Sequence, residues 1–191
     1  MSEPIQRRAR ATRANLIAAA ESIVTREGFG GLRVEQVVKA AGVAKGTFFT
    51  HFADKDVLME QLVAKRLSRL MDALQTARRP SSAKRLAATL GPVIELLTCE
   101  RYVFDLVQRA SLADGPIAEA LSRLDIIITG WFGGLFGAPP FRTDLSPKVM
   151  AEGIRAFTLM AMARHVARPG KQTEPVKALA TQVEAYLMPP K

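Results

Sequence analysis

Apolar residues recur at intervals of three and four along most of the 191-residue chain. This is the spacing of one face of an α-helix, and no alternation of apolar and polar residues competes with it as a strand signal. The sequence therefore predicts an all-α fold whose helices bury their apolar faces against one another. The clearest apolar stripe consists of Ile117, Leu121, Leu124, Ile128, Trp131, Phe132 and Leu135.

Breaks that contain Gly and Pro divide this pattern into helices. We expect a first helix that Thr12 caps and that ends near Gly28, and a second helix that Gly42 closes. A short third helix follows over 45–51, and Asp54 is a good N-cap for a long fourth helix. Further predicted helices span 86–97, 102–112, 116–136, 146–167 and 174–187. The predicted organisation is a domain at 1–55, a linking helix at 56–79 and a helical domain at 80–191.

Composition narrows the range of functions. The chain has 27 Lys and Arg against 18 Asp and Glu, a formal charge of +9, which favours a polyanionic partner such as nucleic acid or an acidic membrane surface. Its one cysteine, Cys99, which we expect to be buried, excludes an internal disulfide, and its two histidines form no cluster with metal-ligand spacing. There is no signal-peptide pattern, membrane-spanning run, nucleophile motif or phosphate loop. We therefore expect a cytoplasmic protein that is not an enzyme and that uses no cofactor or metal.

Two short helices joined at Gly42 match the pattern of a helix-turn-helix, whose second helix enters the major groove of DNA. Gly42 can adopt the positive φ that a sharp exit from a helix needs, and Val43 is expected to lie beneath the turn. Phe48 and Phe52 lie four residues apart, so we expect both to face inward. The outer face is then formed by Lys45, Gly46, Thr47, Thr50 and His51.

Residues 33–58, RVEQVVKAAGVAKGTFFTHFADKDVL, closely resemble the N-terminal domain of the tetracycline-repressor (TetR) family. The shared features are the A-G-V turn, the K-G-T start of the recognition helix, its aromatic-x-x-F end, and the K-x-x-L start of the fourth helix. The resemblance covers about 10–62, and the remaining part of the chain agrees in helical content and length.

This resemblance implies an N-terminal three-helix helix-turn-helix DNA-binding domain and a C-terminal helical domain for effector binding and dimerisation. The expected function is that of a transcriptional regulator, a repressor that a small-molecule effector releases. It would bind a palindromic operator in double-stranded DNA as a homodimer. The apolar residues expected at the dimer interface are Ile154, Phe157, Met160, Ala161, Val176, Leu179, Val183 and Tyr186.

Departures from the family pattern shift the expected DNA contacts. Arg33 stands where the family usually has Thr or Ser, so a long cation that can reach a phosphate replaces a capping hydroxyl. Ala44 and Phe49 replace Ser and Tyr, which removes two hydroxyls that can bond phosphate. Lys55 begins a helix whose amide groups also favour a phosphate oxygen.

The expected DNA-binding residues are Arg33, Lys45, Gly46, Thr47, Phe49, Thr50, His51 and Lys55. Lys45, Thr47 and Thr50 are candidates for base edges or adjacent phosphates. The basic arm, defined as Arg7, Arg8, Arg10 and Arg13, fits either DNA contacts or a solvated, mobile terminus.

The effector pocket is expected among the predicted helices 86–97, 102–112 and 116–136. Its candidate residues are Phe104, Gln108, Trp131 and Phe132. Aromatic residues at helical spacing are equally typical of an ordinary core. An alternative function is a helical protein that binds acidic membrane surfaces or partner helices without operator recognition, but that function does not account for the pattern of 42–52.

Overall fold

The computed structural model describes residues 3–133, 141–168 and 174–188. Across these ranges it contains nine α-helices and no strand, which confirms the all-α class. The helices are α1 (Glu3–Glu27), α2 (Val34–Ala41), α3 (Lys45–His51), α4 (Lys55–Thr76), α5 (Ala83–Thr98), α6 (Arg101–Ala110), α7 (Pro116–Phe132), α8 (Pro147–Ala167) and α9 (Pro175–Leu187).

The chain divides into two compact units, Met1–Arg66 and Leu67–Lys191. The boundary between them falls inside α4, so the first unit contains α1 to α3 and the start of α4. The core of the first unit is formed by apolar residues from all four helices and the first loop: Leu16, Ala20, Ile23, Phe29, Leu32, Val37, Phe48, Phe52, Leu58 and Leu62.

Helix α1 begins much earlier than the sequence predicted. It starts at Glu3, so Thr12 lies inside the helix and is not its N-cap. The reason is that the preceding residues are mostly Ala, Arg and Gln, which are good helix formers, and Pro4 is tolerated in the first turn. The basic arm is therefore helical, and Arg7, Arg8 and Arg10 on it are exposed to solvent.

The predicted cap of the fourth helix is confirmed. The Val57 amide donates a hydrogen bond to the Asp54 carboxylate over 2.9 Å, and α4 begins between them at Lys55. This side-chain acceptor satisfies one of the amides that the first turn of a helix leaves without an intrahelical partner.

In the second unit, α5 packs against α6, α8 and α9, and α7 packs against α8. Ser82 and Ser146 cap α5 and α8, each accepting a hydrogen bond from the backbone amide three residues later. The core between these helices includes Leu86, Leu90, Ile94, Val103, Leu106, Met150, Ile154 and Val183.

Three expectations about this unit need correction or fall outside the described residues. Helix α7 ends at Phe132, and the predicted extension over 134–136 lies outside the described residues. Four residues expected at the dimer interface are buried within the subunit, so they cannot meet a partner: Ile154, Ala161, Leu179 and Val183. Cys99 is exposed because it caps the C-terminal end of α5, beyond the last buried residue, Leu97.

Candidate nucleic-acid interface

The turn between α2 and α3 is closed by backbone hydrogen bonds. Gly42 has φ 67° and ψ 33°, the left-handed conformation that a residue without a Cβ adopts at little cost. The Gly42 amide donates to the carbonyls of Lys39 and Val38, and the Val43 amide donates to the Val38 carbonyl over 3.0 Å. These bonds satisfy the last carbonyls of α2 and hold the exit angle of the chain, as the sequence predicted.

Two phenylalanines anchor the inner face of α3. Phe48 and Phe52 are almost fully buried, and their ring centroids lie 5.4 Å apart. The guanidinium of Arg13, from α1, lies over the Phe52 ring at 4.9 Å from its centroid. A cation over the negative face of an aromatic ring is attracted to it, so Arg13 helps to hold the C-terminal end of α3.

The outer face of α3 is open to solvent. Lys45, Gly46, Phe49 and Thr50 are exposed, whereas Thr47 and His51 are half-buried. The Thr50 hydroxyl donates to the Gly46 carbonyl over 3.2 Å, which leaves its oxygen able to accept a bond from a ligand. Apart from the long Lys45 side chain and the Phe49 ring, which packs edge-on against Phe48, the residues of this face are small or polar.

Three residues outside α3 that affect the predicted DNA contacts differ in their exposure and hydrogen bonding. Ala44 is the N-cap of α3 and makes no side-chain capping bond, as its missing hydroxyl predicts. Lys55 is half-buried at the first position of α4. Arg33 folds back on the loop between α1 and α2, where its Nη1 donates to the carbonyls of Gly30 and Leu32 over 2.6 and 3.2 Å. A phosphate contact by Nη1 therefore requires it to leave these carbonyls.

A polar network ties the end of α1 to the start of α2. The Gln36 side chain donates to the Glu27 carboxylate and accepts from the Arg33 amide, both over 3.0 Å. Arg26 forms an ion pair with Glu27 over 2.7 Å. The hydrogen bonds from Arg26 and then Gln36 lower the pKa of the Glu27 carboxyl, so this carboxylate keeps its charge in mild acid.

Lys45, the first residue of α3, forms an ion pair with Glu35 of α2. The Lys45 Nζ and Glu35 Oε1 atoms are 2.7 Å apart. Sequence reasoning selected Lys45 and missed both Glu35 and the stacking role of Arg13. The sequence does show an acidic residue, Glu35, on the helix before the basic recognition helix. Its contact with Lys45 could not be predicted, because it depends on the angle between α2 and α3 that the turn at Gly42 sets.

A cavity of about 530 Å³ lies in the second unit among α5, α6, α7 and α8. Its wall is largely aliphatic, with Leu90, Val93, Leu97, Val107, Leu121, Leu124, Ile128 and Met162 among its residues. Volumes of this order are typical of small-molecule sites. Of the residues proposed for an effector pocket, Gln108 lines this cavity, whereas Phe104, Trp131 and Phe132 do not. Trp131 and Phe132 are buried in the core.

Seven of the 19 residues that line this cavity are polar or charged: Gln108, Ser111, Ser122, Asp125, Glu152, Arg155 and Thr158. Arg155 and Asp125 both line it and form an ion pair over 2.8 Å, and Glu152 lies on the same side of α8 as Arg155 by its helical spacing.

Among the residues that the structure describes, no group of three or more His, Cys, Asp or Glu is arranged to hold a metal ion. None of the described helices combines the length and the apolar character needed to cross a membrane.

The first unit thus has the architecture of a helix-turn-helix domain of the DNA-binding class, with α3 as its recognition helix. Residues 16–62 match the family model described as bacterial regulatory proteins, tetR family. The N-terminal part of this chain is therefore similar to the tetR family of bacterial regulatory proteins.

Solved structures of regulators share the fold of the whole chain. FadR of Thermus thermophilus, a TetR-family transcriptional repressor solved with lauroyl-CoA, is 19% identical with a TM-score of 0.61, over 90% of this chain and 91% of that one. The transcriptional regulator FadR of Bacillus subtilis, solved with stearoyl-CoA, is 19% identical with a TM-score of 0.62, over 91% and 97%. RolR, solved with resorcinol, is 15% identical with a TM-score of 0.67, over 95% and 90%. A search of the curated proteins returned no significant match.

Proposed function

We propose that this protein is a cytoplasmic transcriptional repressor that binds a palindromic operator as a homodimer and that a small-molecule effector releases. The observation that carries this proposal is the display of α3. Its outer face is exposed at Lys45, Gly46, Phe49 and Thr50, while Phe48 and Phe52 anchor the helix from below. A solvent-facing helix that is anchored by buried rings and presents hydrogen-bonding side chains is what the major groove admits.

Residues of α3 are the proposed contacts to the DNA bases. Lys45, Thr47 and Thr50 are the proposed contacts to base edges or adjacent phosphates, and Gly46 allows the backbone to come close to DNA. The exposed ring of Phe49 suits an apolar contact such as a thymine methyl group.

Three residues around α3 with nitrogen donors are the proposed phosphate contacts. They are Arg33, His51 and Lys55. Phosphate contacts position a protein on the duplex without reading its sequence, so their loss should weaken binding to all duplexes alike.

The cavity of the second unit is the proposed effector site. Its aliphatic wall suits a ligand with an apolar body, and Gln108 offers a hydrogen-bonding side chain to such a ligand. The solved structures of similar fold support this class, since the two FadR proteins were solved with stearoyl-CoA and lauroyl-CoA and RolR with resorcinol. Phe104, Trp131 and Phe132 do not line this cavity and lie outside the proposed site.

The proposed dimer uses α8 and α9. Val149, Leu159 and Met160 on α8 and Met188 after α9 are large apolar residues that remain exposed in the single chain. A two-fold contact would cover such residues and set the two recognition helices about 34 to 36 Å apart, one turn of DNA.

Selection of bound sequences from random duplex DNA tests the proposal directly. We expect enrichment of a palindrome whose half-sites are centred one helical turn apart, and light scattering should give the mass of a dimer. A matched variant with Lys45→Ala and Thr50→Ala should enrich no sequence while keeping the same melting temperature. Failure of the unmodified protein to retain any duplex at low ionic strength would refute the proposal.

A further inference from the structure

The ion pair between Lys45 and Glu35 places a negative charge beside the proposed DNA-binding face. Both side chains are exposed, at 58% and 66% of their area, and the ammonium and carboxylate are 2.7 Å apart. The hydrogen bond from Lys45 lowers the pKa of the Glu35 carboxyl, so this group is ionised at neutral pH. In the free protein, Lys45 therefore already has an anionic partner.

We infer that Glu35 is a positioning residue that competes with DNA phosphates for Lys45 and thereby weakens binding to non-operator duplexes. This inference rests on the proposed function, since it needs α3 to meet DNA. Glu35 supplies the carboxylate that any phosphate must displace before Lys45 can contact it. An operator in which Lys45 hydrogen-bonds a base gains a contact that offsets the free-energy cost of breaking the Lys45–Glu35 pair. A random duplex lacks that contact, so the cost is not offset.

The exchange is feasible because the pair is weak. Exposed Lys and Glu pairs contribute little stability in water, so Glu35 restrains Lys45 without trapping it. Two other ion pairs of the first unit lie elsewhere: Lys65 with Glu21 joins α4 to α1, and Arg26 with Glu27 lies at the end of α1.

The salt dependence of binding is a second readout of this competition. Exposed charge pairs are screened by salt, so the penalty that Glu35 imposes on Lys45 is largest at low salt. Glu35→Gln should therefore gain most affinity at low salt, which makes the slope of log affinity against log salt steeper than that of the unmodified protein.

The experiment measures binding of the full-length protein to a labelled random-sequence duplex by fluorescence anisotropy at several salt concentrations. We expect Glu35→Gln to bind about two- to fivefold more tightly than the unmodified protein at 50 mM salt, with the steeper slope. Glu21→Gln, which breaks the Lys65 pair, is the matched control and should leave both affinity and slope unchanged. Thermal melts of both variants check that the fold is kept.

A double-mutant cycle tests whether Glu35 acts through Lys45. In a Lys45→Gln background, the further change Glu35→Gln should have little effect on affinity or slope. An equal gain in both backgrounds, or no gain in the unmodified background, would overturn the inference while leaving the proposed function intact. If the unmodified protein and Glu35→Gln both fail to bind duplex DNA, the proposed function and this inference fall together.

Discussion

Single residues decide how α3 is held and what it presents. Gly42 supplies the left-handed turn, and the rings of Phe48 and Phe52 fill the space below the helix. Neighbouring positions on this helix therefore have opposite physical tasks, because one faces the core and the next faces solvent.

Gly46→Ala should change stability and DNA binding in opposite directions. A Cβ built on Gly46 has no atom within 4 Å, and Ala is favoured over Gly in helices, so the variant should be more stable by about 0.5–1 kcal/mol. The added methyl group would stand between the helix backbone and DNA and lower the affinity. Denaturant unfolding and duplex titration measure the two effects, and an unchanged affinity would remove Gly46 from the interface.

Phe48→Ala should destabilise the protein by about 3–5 kcal/mol, because it removes a fully buried ring and leaves a cavity. DNA binding should be lost with the anchor of α3. Phe49→Ala is the control, since that ring is 50% exposed and its removal should cost much less. Denaturant unfolding followed by circular dichroism gives both values; equal losses in the two variants would contradict the inward and outward assignment.

At the scale of helices, packing between two helices restricts substitution more than helix propensity does. On α8, a Cβ added to Gly153 would lie 2.5 Å from the Tyr186 ring of α9. That ring cannot move away freely, because its hydroxyl donates to the Val149 carbonyl over 2.9 Å and Phe157 packs edge-on against it.

Gly153→Ala should therefore destabilise the α8–α9 contact by about 1–3 kcal/mol through overpacking, although Ala is the better helix former. Gly130→Ala on α7 is the matched control, because its added Cβ meets nothing within 4 Å. Thermal unfolding of the two variants should shift the midpoint downward for Gly153→Ala alone. A midpoint that Gly153→Ala leaves unchanged would show that Tyr186 yields.

The segment before α8 is tied to the end of α9 by hydrogen bonds from Arg142, which also forms a local ion pair with Asp144 whose effect depends on pH. Arg142 holds both oxygens of Asp144, over 2.7 and 2.6 Å, and its amide donates to the Leu187 carbonyl over 2.7 Å. The hydrogen bonds from Arg142 lower the pKa of Asp144 from 3.8 to about 2. A carboxyl with a depressed pKa stabilises the fold while it is ionised.

The stability difference between the unmodified protein and Asp144→Asn should depend on pH with a definite sign. The contribution of Asp144 is present above pH 3.8 and disappears as the pH falls towards about 2. Melting temperatures recorded between pH 6 and pH 2 should therefore converge at the acid end. The difference is small because Asp144 is solvent-exposed. Parallel curves over the whole range would show that the pair contributes nothing.

The molecule as a whole combines a DNA-binding unit with a unit that contains a cavity. If an effector in the cavity favours a state of the dimer that fits the operator poorly, operator DNA must weaken effector binding by the same factor. The proposed function therefore requires that effector and operator weaken each other's binding equally, whatever structural path connects the two sites.

Calorimetric titration should reveal this reciprocity. Lauroyl-CoA and resorcinol, the ligands of two solved relatives, are the first probes to titrate. A probe that binds should do so about 5- to 150-fold more weakly when the operator selected from random DNA is present, a coupling of about 1–3 kcal/mol. Affinity that operator DNA leaves unchanged would refute release by that ligand.

Local order along the chain was enough to predict the helical class, the turn at Gly42, the cap at Asp54 and the inward orientation of Phe48 and Phe52. These features depend on the helical period, on the φ range open to glycine and on side chains that bond backbone groups a few residues away. All of these interactions act within about one turn of helix, so neighbouring residues suffice to predict them.

Other features depend on residues that meet only when helices pack. The stacking of Arg13 on Phe52 and the pairing of Lys45 with Glu35 join different helices, and no spacing rule predicts them. Likewise, Ile154 and Met160 occupy one apolar pattern on α8, yet packing buries the first and leaves the second exposed. An apolar stripe shows that a face is to be covered, but whether the same chain or a partner covers it depends on distances set by the tertiary structure.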